Sequence, residues 1–182
     1  MTMAEPDDVS ARAGMGKAVE GPAVVAPGLD PRMVLDSPTD WVSDHIRRYV
    51  ETDGEDGHDF PGFPTLLLTT RGRASGLFRR TALIYGQDAD RYVLAASNAA
   101  SANQPHWYLN LCATPVAEVQ VRARKLIARA RTAEPDKRDR LWSLMTSIFP
   151  KYDEYQASTD RAIPLIILEP VAEAAPRIRE MR

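Results

Sequence analysis

Four arginines stand close together in Thr70 to Tyr85, TRGRASGLFRRTALIY: Arg71 and Arg73 precede a Ser-Gly step, and Arg79 and Arg80 follow it. Guanidinium groups bind phosphate and carboxylate in bidentate fashion, so with Ser75 and the amides around Gly72 and Gly76 they would line an anion pocket. A solvated loop beside a strand is the alternative for the same residues. Tyr152 and Tyr155, after Phe149, would make an aromatic wall with hydroxyls at hand, and core packing at helical spacing is their alternative.

Other chemistry finds little support. His45, His58 and His106 share no spacing that puts two on one face, so a metal site is not expected, and His45 and His58 are expected at the surface. Cys112, the single cysteine, is read as a small core residue near a helix end. No G-x-S-x-G, G-x-G-x-x-G or Walker loop occurs. An enzyme built on this chain would borrow its reactivity from a cofactor and supply binding, orientation and exclusion of water.

The 182 residues suit one domain with a core. The 23 basic and 25 acidic side chains give a net charge of -2, which offers no field for nucleic acid. No window approaches the roughly 20 apolar residues that cross a bilayer, and one cysteine with no signal-peptide pattern predicts a cytoplasmic protein. Weak contact with an anionic membrane is a use open to Arg122, Arg124, Arg129 and Arg131, otherwise read as a solvated outer face.

Certain elements must position these residues. Residues 1–35, rich in Ala, Gly, Pro and acidic side chains, are expected to be a disordered tail, and residues 36–182 the folded domain. Ser37, Pro38 and Asp40 predict a helix start, with Val42, Ile46, Tyr49 and Val50 on one face. Thr52 to Gly62 reads as an acidic, solvated connection, and GQDAD, from Gly86, as a turn. Strands are expected at Pro64–Thr70, Thr81–Tyr85, Tyr92–Ala96 and Ile163–Leu168, with a hairpin over Ala117–Ala133 turning near Lys125. Helices are expected at Gln104–Cys112, Glu134–Phe149 and Lys151–Gln156. About six strands with helices outside predict an α+β, mainly β, closed or half-closed barrel.

Three segments, TTRGRASGLFRRTALIY, VLAASNAASANQPHWYLNLCATPVAEVQV and FPKYDEYQASTDRAIPLIILEP, together resemble the deazaflavin-dependent nitroreductase family. The resemblance covers Pro64 to Pro170. It implies a split β-barrel that binds reduced coenzyme F420, an 8-hydroxy-5-deazaflavin, and passes a hydride to quinones, nitro compounds or activated alkenes such as enones. Carried over by position, it places Arg73, Ser75 and Arg79 at the cofactor's phosphate and oligoglutamate tail. Thr81, Ala82 and Leu83 then run along its ring edge, and Ala96, Ser97 and Asn98 cover the ring region. Trp107 and Asn110 come from the helix against the pocket, while Arg80 joins from the anion argument. Tyr152 and Tyr155 line the substrate side with Ile84 and Phe149, where some members carry tyrosines, and Ser97 faces them as a hydroxyl donor. Ala74 and Asn98 stand where members often carry Lys, which implies two fewer charge contacts to the tail. Two rival readings share these residues: an FMN-binding split-barrel oxidoreductase, and a non-catalytic F420 carrier.

Overall fold

The apolar run after Pro64 buries both of its faces. In β2 (Thr65–Arg71), Leu66 and Leu68 enter an interior core, while Leu67 packs outward on Ile46 and Tyr49 of α1 (Asp40–Glu51). Two-sided burial explains why the run lacks polar alternation. Each fully buried leucine contributes about 1.5–3 kcal/mol.

The structure, a computed structural model, describes residues 34–174. Its remaining elements are β1 (Val34–Asp36), β3 (Phe78–Ile84), β4 (Gly86–Asp88), β5 (Arg91–Ala95), α2 (His106–Ala113), β6 (Val116–Val121), β7 (Arg124–Thr132), α3 (Pro135–Ile148), α4 (Lys151–Ala157) and β8 (Leu165–Glu173). The strands form one sheet in the order β1-β3-β2-β6-β7-β8-β5-β4, antiparallel except for the β1–β3 pair. This is the expected split β-barrel, with eight strands where about six were expected. Residues such as Leu94, Val119, Ala128, Ile166 and Leu168 fill its interior. Outside, α3 and α4 cover Val93, Leu165 and Ile167, so β8 too is buried on both faces.

Several local expectations are corrected by long-range contacts. The two extra strands are short: β1, paired with distant β3, includes Val34 and Leu35, placed in the tail by their composition, and the rest of that proposed tail lies outside the described residues. β4 occupies part of GQDAD, leaving Ala89 and Asp90 as the turn. Pairing with β3 keeps residues 34–36 extended, so α1 starts two residues beyond the expected Pro38, with Thr39 at its cap position. The hairpin turns at Arg122 and Ala123, not near Lys125, because the Tyr49 hydroxyl accepts the Arg122 amide at 2.8 Å.

Both histidines expected at the surface are buried. His45 bonds through Nε2 to the Gly57 carbonyl at 2.8 Å, and Gly57, at φ +127°, lies against the His45 ring, where a Cβ would come within 3.0 Å. His58 bridges the Asp59 carboxylate (2.8 Å) and the Tyr85 hydroxyl (3.0 Å). The acidic loop is thus partly folded back onto α1, the start of β2 and Tyr85, not wholly solvated. Three of the four hairpin arginines are ion-paired, Arg122 with Asp59, Arg124 with Glu173 and Arg131 with Glu169, while Arg129 has no carboxylate partner among the described residues. Among the described residues no helix is long and apolar enough to cross a membrane.

Candidate functional site

β3 is paired unequally along its two edges. One edge meets β2 from Phe78 to Ile84, whereas the other meets β1 only from Phe78 to Arg80. Beyond β1, Thr81, Ala82, Leu83 and Ile84 line a cleft of about 980 Å³ and have no second strand beside them among the described residues. Strand-edge amides and carbonyls need partners, so this edge suits a flat ligand with a polar rim.

One end of the cleft is basic. The chain leaves β2, turns through Gly72–Leu77 and returns as β3, with the Gly76 amide donating to the Gly72 carbonyl at 2.7 Å and the Gly72 amide to the Leu77 carbonyl at 2.8 Å. Gly76 takes φ +71°, which a glycine adopts without a Cβ penalty. This turn presents Arg73, Ala74 and Ser75 to the cleft beside Arg79. Buried Asn110 of α2 anchors it: its Oδ1 accepts the Arg73 amide at 3.1 Å and its Nδ2 donates to Thr70 Oγ1 at 3.1 Å. Among the described residues, Arg73 and Arg79 have no carboxylate partner, and both are exposed. Arg80 differs, because Asp36 takes its Nε at 2.6 Å and its Nη2 at 3.0 Å, so its charge is already answered. Arg71 does not line the cleft.

The opposite wall combines a strained turn with an aromatic stack. Asn98, Ala99 and Ala100 all have φ between +48° and +64°, at a cost of roughly 1–2 kcal/mol per non-glycine residue. Ser97, Asn98 and Ala99 of this turn line the cleft. Ala96 does not; it is fully buried in the interior core, and Ala95 lines the cleft in its place. Alternation along a strand sends neighbours to opposite faces, which separates the two alanines. Phe149, Tyr152 and Tyr155 pack ring against ring, with Phe149 5.0 Å from Tyr152 and 5.0 Å from Phe63. Asp153 of α4 accepts the Trp142 indole N–H at 2.7 Å and fixes this helix against α3. Burial pushes the Tyr152 hydroxyl well above the ordinary phenol range, with Tyr155 adding to the effect, so it stays a proton donor throughout neutral and moderately alkaline pH.

Trp107 and Asn110 line the cleft from α2, with His106 beside them. Cys112 is half-buried against the interior core, and burial pushes its thiol up, so it is a poor nucleophile. Among the described residues no group of three metal-ligating side chains occurs.

Sequence reasoning missed the apolar part of the lining formed by Trp41, Val42, His45, Phe60 and Phe63. Trp41 is 63% exposed and Phe60 39%. A residue on the wet side of a helical pattern, such as Trp41, was the available signal.

The profile described as F420H(2)-dependent quinone reductase matches residues 41–170. The chain is similar to the F420H(2)-dependent quinone reductase Rv1261c of Mycobacterium tuberculosis, 36% identical over 128 residues that span 68% of this chain and 86% of that one. It is also similar to the putative F420H(2)-dependent quinone reductase Rv3178 of the same organism, 37% identical over 59% of this chain and 90% of that one. Among solved structures, one of an F420-H2 dependent reductase, FDR-A, shares 36% identity with a TM-score of 0.55 and covers 58% of this chain and 94% of its own. Another, described as a domain-swapped dimer, shares 37% identity with a TM-score of 0.58 and covers 73% of this chain and all of its own. The matched segment contains β2, β3, the strained turn and the aromatic helix, and by that match the chain belongs to the F420H(2)-dependent quinone reductase family.

Proposed function

We propose that this protein reduces quinones at the expense of reduced coenzyme F420, and that nitro compounds and enones are further acceptors of the same site. The observation that carries the reading is the layout of the cleft: two guanidinium groups without carboxylate partners at one end, an open strand edge along its floor, and an aromatic stack opposite. These residues fit the cofactor. Arg73 and Arg79, with the Ser75 hydroxyl, hold its anionic tail, and the edge of Thr81–Leu83 receives the polar rim of its ring. When bound, the deazaflavin supplies a hydride from C5.

The chain's own groups bind, orient and donate. Phe149, Tyr152, Tyr155 and Ile84 form a flat apolar slot that stacks the acceptor and excludes water, which orients it for transfer. Tyr152, protonated at neutral pH, donates a hydrogen bond to the oxygen on which negative charge grows, and Ser97 and Tyr155 supply further hydroxyls on that side. No side chain forms a covalent bond with substrate. Asp36 withdraws Arg80 from the tail-binding set, which leaves two arginines where the sequence offered three.

The test adds purified protein to reduced deazaflavin with and without menadione and follows the return of the oxidised cofactor's visible absorbance. Acceptor-dependent oxidation supports the reading. Quenching of deazaflavin fluorescence without oxidation points to a carrier, and preferential binding of FMN to an FMN enzyme.

A further inference from the structure

Arg161 lies outside the cleft lining, in the connection between α4 and β8, yet it reaches the carbonyl of cleft-lining Ser97 and three acceptors that flank the strained turn. Its Nε donates to the Ser101 carbonyl at 2.9 Å, Nη1 to the Ala96 carbonyl at 3.1 Å and to Gln104 Oε1 at 2.9 Å, and Nη2 to the Ser97 carbonyl. These acceptors bracket the three left-handed residues Asn98–Ala100 on both sides. Within the turn only short-range bonds act: the Ala100 amide to the Ser97 carbonyl, the Ser101 amide to the Asn98 carbonyl, and Asn98 Nδ2 to the Asn103 carbonyl. A non-glycine turn of this hand persists only where its surroundings over-determine it.

The same arginine is registered against the aromatic helix. Gln156 of α4 donates through Nε2 to the Arg161 carbonyl at 3.0 Å, while its Oε1 accepts the Ile163 amide at 2.9 Å and Arg138 Nη2 at 3.3 Å. Arg138 also donates to the Ile163 carbonyl at 2.7 Å. One continuous hydrogen-bonded path thus runs from α3 through Gln156 and Arg161 to Ser97, and Gln156 lies next to Tyr155. Only a planar guanidinium presents five donors in a fixed fork; an ammonium in its place serves fewer acceptors.

We infer that Arg161 is a positioning residue for hydride transfer: it holds the Ser97–Ala100 turn in its left-handed form and sets it at a fixed distance from the tyrosines of α4. The inference rests on the reductase reading. It goes beyond that reading by giving the T-D-R-x-I-P segment a defined task, and it concerns geometry, not the hold on the cofactor tail, which lies at the other end of the cleft.

The test compares the wild type with Arg161→Lys, Arg161→Gln and the double variant Arg161→Lys/Ala99→Gly, all in the full chain. In the two single variants kcat is expected to fall on the order of 10-fold or more, with the KM for menadione changed less than about 3-fold. In the proteins without cofactor, the bonded amides of Ala100 and Ser101 are expected to exchange with solvent at least about 10-fold faster, while those of β8 keep their wild-type rates. Glycine takes the left-handed form freely, so Ala99→Gly should return part of the kcat lost in Arg161→Lys. Wild-type kcat and wild-type exchange at Ala100 and Ser101 in the single variants, with only a lowered thermal midpoint, overturn the inference. A wild-type protein that oxidises no cofactor overturns the reductase reading instead, and the exchange comparison then still decides whether Arg161 fixes the turn.

Discussion

The Asp36 carboxylate holds Arg80 in a fork, at 2.6 Å to Nε and 3.0 Å to Nη2, directly across the parallel pairing of β1 with β3. Arg80 is 10% exposed and Asp36 29%, so the pair is screened less than a surface pair. It closes β1 onto β3 and neutralises one of the three arginines that line the cleft. Asp36→Asn is expected to cost about 1–3 kcal/mol, measured by urea unfolding, because a largely buried guanidinium loses its counter-charge. In the same variant the affinity for deazaflavin with its anionic tail should rise at low salt. Unchanged stability would show that β1 docks without the pair.

Arg79 is exposed and unpaired among the described residues, so its loss should leave the fold alone. Arg79→Ala is expected to change unfolding free energy by less than about 0.5 kcal/mol. Its cofactor dissociation constant should rise roughly 10-fold, with kcat at saturating cofactor nearly unchanged and a weaker dependence of binding on salt. Fluorescence titration at two ionic strengths measures both effects.

Tyr152→Phe keeps the ring in the stack and removes the hydroxyl. It should lower kcat about 10-fold while cofactor affinity stays within about 2-fold, and Tyr155→Phe should act in the same direction. Steady-state kinetics together with cofactor titration separate these effects. Equal losses of cofactor binding would count against the assignment of the tyrosines to the acceptor side.

Alkaline pH tests the burial of the phenols. Burial raises the pKa of Tyr49 from 10.0 to about 12 and raises Tyr85 and Tyr152 in the same direction. The folded state therefore favours the neutral form. Its contribution is fully present below pH 10 and is lost as the pH rises through the folded-state values. The thermal midpoint should begin to fall near pH 10 and continue falling through about pH 12, less steeply in Tyr152→Phe. A flat profile to pH 12 would contradict the buried, neutral state of these side chains.

Asn110 joins α2, the end of β2 and the arginine turn through one buried amide. Asn110→Ala leaves the Arg73 amide and the Thr70 hydroxyl short of partners and should cost about 1–3 kcal/mol in urea unfolding. Cofactor affinity should fall with it, since Arg73 then points from an unanchored turn.

The sequence by itself determined whatever depends on neighbours along the chain. Two apolar runs, PTLLLTT and IPLIIL, announced strands; Pro135 and Asp136 announced α3; the Ser-Gly step between two arginine pairs announced a loop that carries Arg73 and Ser75. The spacing of Phe149, Tyr152 and Tyr155 placed them on adjoining turns of chain, and the three resembling segments already implied one cleft. What only the tertiary structure decided depends on partners far apart. Arg79 and Arg80 look alike in sequence, and a carboxylate 44 positions before Arg80 answers one of them and not the other. His45 and His58 read as surface residues because nothing local shows that Gly57 and Tyr85 close over them. Arg161 shows the same limit, since the acceptors it serves lie about 57 to 65 residues earlier in the chain. Backbone propensity and apolar period act over a few residues, whereas burial and charge pairing act through space, so the elements were legible before folding and the duties of single polar side chains were not.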